Sequence, residues 1–345
     1  MGMIMKIKKF VVLKDSDYFL GWPDLAMDAR GRLWCVYNEC RAHCDRSHSR
    51  IMLIGSSDRG RSWSAPQPLT EASDGSGYYY NCPRLSLLRD GRLAAVVDRM
   101  PLGTGGKLYE VPENQRAAEN RIAFSDDNGD HWSAWQPLPL RGIVPSKLTE
   151  LRSGDWLLAA HRPEGRNAEY LIRSGDHGKS WSPEVAVARD GRYELCEASL
   201  LELPGGEIAA LLRENSFAGY DCLKTVSRDG GASWSPVTAL PIPGCHRPVA
   251  GFLADGRILV TYRFYQGGKG GGQNFFAALT DVASLLSSER READCRLIPI
   301  DYDGADHSDL GYSGWVEFPD GEIYIVSYII DDHRHAQLRG YAVRW

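Results

Sequence analysis

The chain has 345 residues, 43% of them hydrophobic and 25% charged, with a formal net charge of −5, the proportions of a globular protein of one large domain or two ordinary ones. A pI near 6.0 excludes the strongly basic face that nucleic-acid binding uses. The longest apolar-rich run, residues 323–330, is too short to span a bilayer.

The N-terminus, MGMIMKIKKF, has lysines but no apolar core and no small-residue cleavage site, so no secretory signal is read there and a cytoplasmic location is expected. Residues 6–13, KIKKFVVL, read as a strand. From residue 23 onward one pattern recurs six times: an apolar segment, a Gly-containing turn, then an apolar segment ending in charge. The copies lie near 23–41, 83–99, 146–162, 197–215, 247–264 and 312–328. Apolar residues alternate on both arms around Asp-Gly or a relative, which is a β-hairpin signal.

A second repeat follows each of the first four hairpins. SSDRGRSW, SDDNGDHW, SGDHGKSW and SRDGGASW share the form S-x-D-x-G-x-x-W, and their tryptophans, Trp63, Trp132, Trp181 and Trp234, are 69, 49 and 53 residues apart. A period near 50 indicates a repeat architecture. The turn chemistry is structural: Asp and Ser bond local backbone, Gly supplies positive φ and Trp buries its ring. Four strands per repeat and six repeats predict an all-β, six-bladed β-propeller with four-stranded antiparallel blades, a single domain over 1–345. The last hairpin is followed by only one more strand, 336–345, so the N-terminal strand is expected to complete that blade and close the sheet edge. In the fifth repeat the signature turn is lost and residues 279–292 read as helical or irregular.

Eight cysteines are scattered without a disulfide framework and read as free thiols. Cys40, His43, Cys44 and His48 are four metal-type ligands within nine residues, but the ordinary C-x2-C spacing is missing and no metal or other cofactor is expected. Two glycine-bearing insertions, 103–120 and 267–272, are expected on the rim that carries a pocket.

Antiparallel strands place the start of each hairpin and the end of its second strand on one rim of the channel. The starts carry Asp24, Arg84, Glu197, Arg247 and Tyr312. The ends carry Glu39, Arg41, His161, Arg213 and Arg263 among others. Seven arginines with several carboxylates on one rim suit both inter-blade ion pairing and recognition of an anionic ligand, since the guanidinium fork matches a carboxylate or sulfate.

These motifs resemble the sialidase (neuraminidase) superfamily over nearly the whole chain. The four S-x-D-x-G-x-x-W turns are similar to its Asp-boxes, or BNR repeats. CVYNECRAHCD (35–45) is similar to the blade with an E-x-R pair and a following general acid, which the resemblance places at Glu39, Arg41 and Asp45, the last one residue early. Glu197 and Arg213, sixteen residues apart, match the glutamate that polarises the nucleophile and an arginine that clamps the substrate carboxylate. Tyr312, in GYSGW, takes the place of the tyrosine nucleophile.

The resemblance implies a glycoside hydrolase acting on a terminal acidic sugar. Glu197 would draw the phenolic proton of Tyr312, and Asp45 would protonate the leaving oxygen with a raised pKa. Two departures stand against it. Gly21-Trp22-Pro23 replaces an R-I-P motif, and Gln273 or Asn274 occupies the place of a third arginine. Loss of one such charged contact costs about 1.5–3 kcal/mol. Arg84, Arg247 or Arg263 are the candidate replacements. Two alternatives stay open: a non-catalytic carbohydrate- or protein-binding propeller, and a lyase or hydrolase for uronate-containing glycans, with His161 or Tyr312 as the base.

Overall fold

Alternating apolar residues make both arms of every predicted hairpin strand, and the two arms pair antiparallel in all six cases. The computed structural model describes residues 5–108, 110–112, 118–266 and 271–344. It is an all-β six-bladed propeller of four-stranded antiparallel sheets. The chain divides into two compact units, Met1–Pro137 with Asp303–Trp345, and Leu138–Tyr302.

In the first unit, one sheet runs β2(Phe19–Met27), β3(Leu33–Ala42), β4(Asp45–Ser56) and β5(Gln67–Pro68). The next runs β6(Tyr78–Leu87), β7(Leu93–Pro101), β8(Glu119–Ser125) and β9(Gln136–Arg141). The last sheet has the order β1(Lys6–Leu13), β24(Gln337–Arg344), β23(Ile323–Ile329), β22(Ser313–Glu317). The N-terminal strand thus completes the final blade, with Lys6 opposite Arg344. Between the first two blades Trp34, Val36 and Leu53 pack against Leu85, Leu93, Ala95 and the signature Trp132.

The second unit holds β10(Thr149–Glu150), β11(Trp156–Glu164), β12(Arg166–Ser174) and β13(Val185–Ala188). It also holds β14(Leu195–Glu202), β15(Ile208–Glu214), β16(Leu223–Ser227) and β17(Thr238–Ala239), then β18(Cys245–Phe252), β19(Ile258–Tyr265), β20(Gln273–Thr280) and β21(Cys295–Tyr302). Aliphatic clusters fill the space between successive blades. A short helix α1(Val282–Leu286), capped by Asp281, stands where the fifth repeat lacks its signature turn.

The signature turns are built alike. In the first, the Ser56 hydroxyl donates to Asp58 at 2.8 Å and accepts from the Gly60 amide at 2.8 Å. Asp58 in turn accepts from the Ser62 amide at 2.9 Å. The same pattern repeats at Ser125, Ser174 and Ser227. These bonds hold the turn carboxylates of Asp58, Asp127, Asp176 and Asp229 down at about 2. Their work is scaffolding, as the turn chemistry predicts.

Parts of both insertions, residues 109, 113–117 and 267–270, lie outside the described residues. The described start of the first insertion follows the tip of the β3–β4 hairpin. The Arg46 amide donates to the Gly106 carbonyl at 2.7 Å, and Leu108 to Cys44 at 3.0 Å.

Candidate functional site

The first strand of most blades carries a backbone device that hydropathy patterns do not reveal. Trp22 and Cys82 in the first unit adopt φ of 51° and 42°; Val144, Glu197 and Arg247 in the second adopt 51°, 54° and 60°. At four of these residues the pairing register with the following strand shifts, between Gly21 and Asp24, Asn81 and Arg84, Cys196 and Ser199, and His246 and Val249. Left-handed backbone at a bulky residue costs about 1–3 kcal/mol and concentrates at functional sites. The bulge turns one side chain per strand away from the regular alternation. The available signal was the recurring X-Pro dipeptide at Trp22-Pro23, Cys82-Pro83, Val144-Pro145 and Arg247-Pro248.

In the second unit the bulges converge charge. Glu197 is 5% exposed and accepts from Arg213 Nη1 at 2.7 Å. Arg247 Nε lies 3.3 Å from its other oxygen. Arg213 also donates to Asn215 at 2.6 Å, and its Nε lies 3.2 Å from His246 Nε2. His246 Nδ1 is 3.4 Å from Arg263 Nη1. Burial, then the flanking Arg213 and Arg263, hold His246 well below the usual histidine range, so the ring is neutral between two guanidinium groups. Tyr265 stacks on it with centroids 5.4 Å apart.

His161 and Glu169 face each other in register on β11 and β12. Both are buried, and neither the His161 Nδ1 nor either Glu169 oxygen has a full hydrogen-bond partner among the described residues. Burial pushes Glu169 well above the carboxylate range; the Ala198 amide dipole works against that and the Glu197 charge reinforces it. Burial lowers His161 to about 4, with Arg213 and Arg247 acting in the same direction and Glu197 opposing. The cluster brings three guanidinium groups, Arg213, Arg247 and Arg263, around Glu197 and His246, donors of the kind that bind an anion.

In the first unit Tyr312 is 4% exposed. The Arg84 guanidinium lies 5.3 Å from its ring centroid, and the Tyr328 ring 6.3 Å away. Arg84 is itself buried and donates to the Pro83 carbonyl at 2.8 Å. Trp22, beside Gly21, has the Arg46 guanidinium 4.2 Å over its ring. Arg46 is 2% exposed and donates to Cys40 Sγ at 2.8 Å.

Several expected ligand-facing residues have other work. Asp24 accepts from the Leu25 amide and, in the next blade, from the Leu85 amide, both at 2.9 Å. Ser199, two residues past its own bulge like Asp24, accepts from the Ala250 amide of the following blade at 3.0 Å. The repetition identifies Asp24 as a clamp between blades. Glu39 is buried and accepts from Arg50 at 2.7 Å, with His48 at 3.3 Å. Arg41 is exposed and lies 5.0 Å from the Tyr18 ring centroid.

Asp45 departs from expectation in its acidity. It forms an ion pair with Lys107 and accepts from Ser47 at 2.6 and 3.1 Å. Burial alone would raise its carboxyl, but these bonds outweigh it and hold the group below its ordinary value. The raised pKa expected of a proton donor is reversed by Lys107. Three of the four metal-type residues beside Asp45 have these neighbours. His43 bonds Asp309, His48 lies against Asp74 and Glu39, and Cys40 takes Arg46. Burial pushes the Cys40 thiol up to about 11, against the lowering effect of Arg46.

The BNR repeat-like domain family matches residues 108–268. A protein described as a sialidase, from Bacteroides fragilis, is 24% identical over 200 residues, a match that takes in 56% of this chain and 35% of that relative's length. Over residues 108–268 the chain is similar to BNR repeat-like domains, and its six-bladed propeller is sialidase-like in fold. It is a distant homologue of that sialidase. A protein of unknown function from Dyadobacter fermentans superposes with a TM-score of 0.80 at 19% identity, covering 98% of this chain and 99% of that one. The NanB sialidase of Streptococcus pneumoniae gives 0.68 at 14% identity, covering 97% of this chain and 70% of that one. Likeness at that identity speaks for the sialidase-like fold, and the chemistry rests on the residues described above.

Proposed function

We propose that the chain is a glycoside hydrolase for a terminal acidic sugar. The observation that carries this reading is Glu197, buried on a strained bulge between Arg213 and Arg247, with Arg263 and a neutral His246 alongside. The arginines recognise the carboxylate of the sugar and offset the arginines that the chain lacks at Gly21 and at Gln273 or Asn274. On the resemblance of their sequence contexts to sialidase blades, Tyr312 takes the role of nucleophile and Glu197 that of the base for its phenolic proton as the new bond forms to the anomeric carbon. A phenol suits this chemistry, because a second carboxylate would be repelled by the sugar's own. Distant homology to a sialidase supports the same reading.

The ionised pairing of Asp45 with Lys107 favours a second reading, a propeller that binds an acidic glycan without turning it over. The two separate on a panel of 4-methylumbelliferyl glycosides of N-acetylneuraminic acid and glucuronic acid. Hydrolysis of one of them, lost in Tyr312→Phe by a factor of at least about 100, is expected. Inertness toward the whole panel, with binding of the free acidic sugars retained, would overturn the hydrolase reading.

A further inference from the structure

The tip of the β3–β4 hairpin holds a second candidate for proton transfer. Ala42 pairs with Asp45, so His43 and Cys44 are the two residues of the turn. His43 Nδ1 lies 2.6 Å from Asp309 Oδ2. The other oxygen of Asp309 accepts from the Tyr328 hydroxyl at 2.7 Å. Asp309 is fixed from behind: its amide donates to Asp303 Oδ2 at 3.1 Å, and Asp303 Oδ1 accepts from the Ala305 and Asp331 amides at 3.0 and 2.8 Å. The carboxylate that orients His43 thus has both oxygens engaged and its backbone anchored.

The imidazole is positioned as well as oriented. It packs edge-on against Trp22, centroids 5.0 Å apart at 73°, and against Phe19 at 5.9 Å and 74°. Its side chain is 46% exposed, so it has access to solvent and ligand. Tyr328, which holds Asp309, lies against Tyr312. Two residues from His43, Asp45 is an ionised carboxylate occupied by Lys107 and Ser47.

We propose that His43, oriented by Asp309, is the residue that protonates the leaving oxygen of the glycoside. This rests on the hydrolase reading above. With Nδ1–H committed to Asp309, Nε2 is the nitrogen that serves the substrate. As the bond from the anomeric carbon to the leaving oxygen breaks, its electron pair stays on that oxygen, which takes the proton from Nε2. The new bond forms from the Tyr312 oxygen, and the ring is left neutral with its proton on Nδ1. In the second step water attacks the anomeric carbon and gives its proton to Nε2, and the tyrosyl bond breaks with its electron pair on the Tyr312 oxygen, which takes back the phenolic proton drawn by Glu197 in the first step.

The test compares two leaving groups on one sugar: 4-nitrophenyl, which departs without a proton, and the lactosyl group, which needs one. The sugar is N-acetylneuraminic acid, or glucuronic acid if the wild type hydrolyses that instead. His43→Gln is expected to lower kcat/KM on the lactosyl glycoside by about 100-fold or more, and on the nitrophenyl glycoside by less than about tenfold. Asp45→Asn is expected to slow both by the same factor. Equal losses on both probes in His43→Gln, or a lactosyl-selective loss in Asp45→Asn, would overturn the assignment while leaving hydrolysis through Tyr312 standing. A wild type inert on every probe would overturn the hydrolase reading itself. The dyad has its own readout: 15N shifts of neutral His43 are expected to show the proton on Nδ1, moving to Nε2 in Asp309→Ala. An unchanged tautomer in that variant would overturn the dyad whatever the activity.

Discussion

Arg213 and Glu197, sixteen residues apart on adjacent strands, meet at 2.7 Å in a setting where both are almost fully buried. Arg247 closes on the same carboxylate from the next blade at 3.3 Å. A buried charge of this kind is tolerated only while its partner is present. Glu197→Ala leaves two buried guanidinium groups without their counter-ion, and a loss of about 3–5 kcal/mol is expected in urea denaturation. Glu197→Gln keeps the shape and part of the hydrogen bonding, so it is expected to retain more stability while losing turnover.

The His161–Glu169 pair makes stability depend on pH in two directions. His161 titrates near 6.5 when unfolded and at about 4 in the fold. Between those values the unfolded chain holds more protons, so stability rises with pH. The contribution, on the order of 3 kcal/mol, is complete above 6.5 and is lost as pH falls through 4. Glu169 acts oppositely. Its folded value is raised above 4.5, so its contribution is present below 4.5 and declines as pH rises. His161→Phe is expected to flatten the slope of unfolding free energy between pH 4 and 6.5, and Glu169→Gln to remove the decline on the alkaline side.

Asp24 separates scaffold from site. Its two carboxylate oxygens serve backbone amides of two blades. Asp24→Ala is expected to cost about 1–3 kcal/mol through the orphaned Leu25 and Leu85 amides, measured as a lower urea midpoint. Substrate affinity of the fraction that remains folded is expected to hold.

Gly60 tests the signature turn. Its φ is +79°, and an added Cβ would stand 2.0 Å from the Tyr324 ring. The Tyr324 hydroxyl donates to the Gly60 carbonyl at 2.7 Å. Gly31 has the same φ with open space around it. Gly31→Ala is expected to cost about 1 kcal/mol from backbone strain alone, and Gly60→Ala clearly more, in paired thermal melts.

The hairpins and signature turns are legible in the amino-acid sequence because their signals are local. Alternation sets the strand faces, and Ser, Asp and Gly fall within one turn. N-terminal closure is legible too, since the last repeat is one strand short. The site is legible only in part. The spacing of Glu197 and Arg213 places them on the two arms of one hairpin, with Arg213 opposite the neighbouring Cys196, whereas the arrival of Arg247 depends on packing between blades. The left-handed bulges are a property of φ, which hydropathy does not report; the X-Pro dipeptides were the sole trace. Lys107 meets Asp45 across 62 residues, and Asp309 meets His43 across 266. No local pattern marks either encounter, so the ionised state of Asp45 and the His43–Asp309 pair emerge only in three dimensions.

The central claim is that Tyr312 attacks an acidic sugar. It is tested most directly by intact-protein and peptide mass spectrometry after incubation with a glycosyl fluoride of the acidic sugar that the wild type hydrolyses, fluorinated also at the carbon next to the anomeric one, a probe whose covalent intermediate breaks down slowly. The expected result is an increment of one fluorosugar on the peptide carrying Tyr312, absent from Tyr312→Phe. An increment on Glu197, Asp45 or another carboxylate instead, or steady turnover with no adduct on Tyr312, would contradict it.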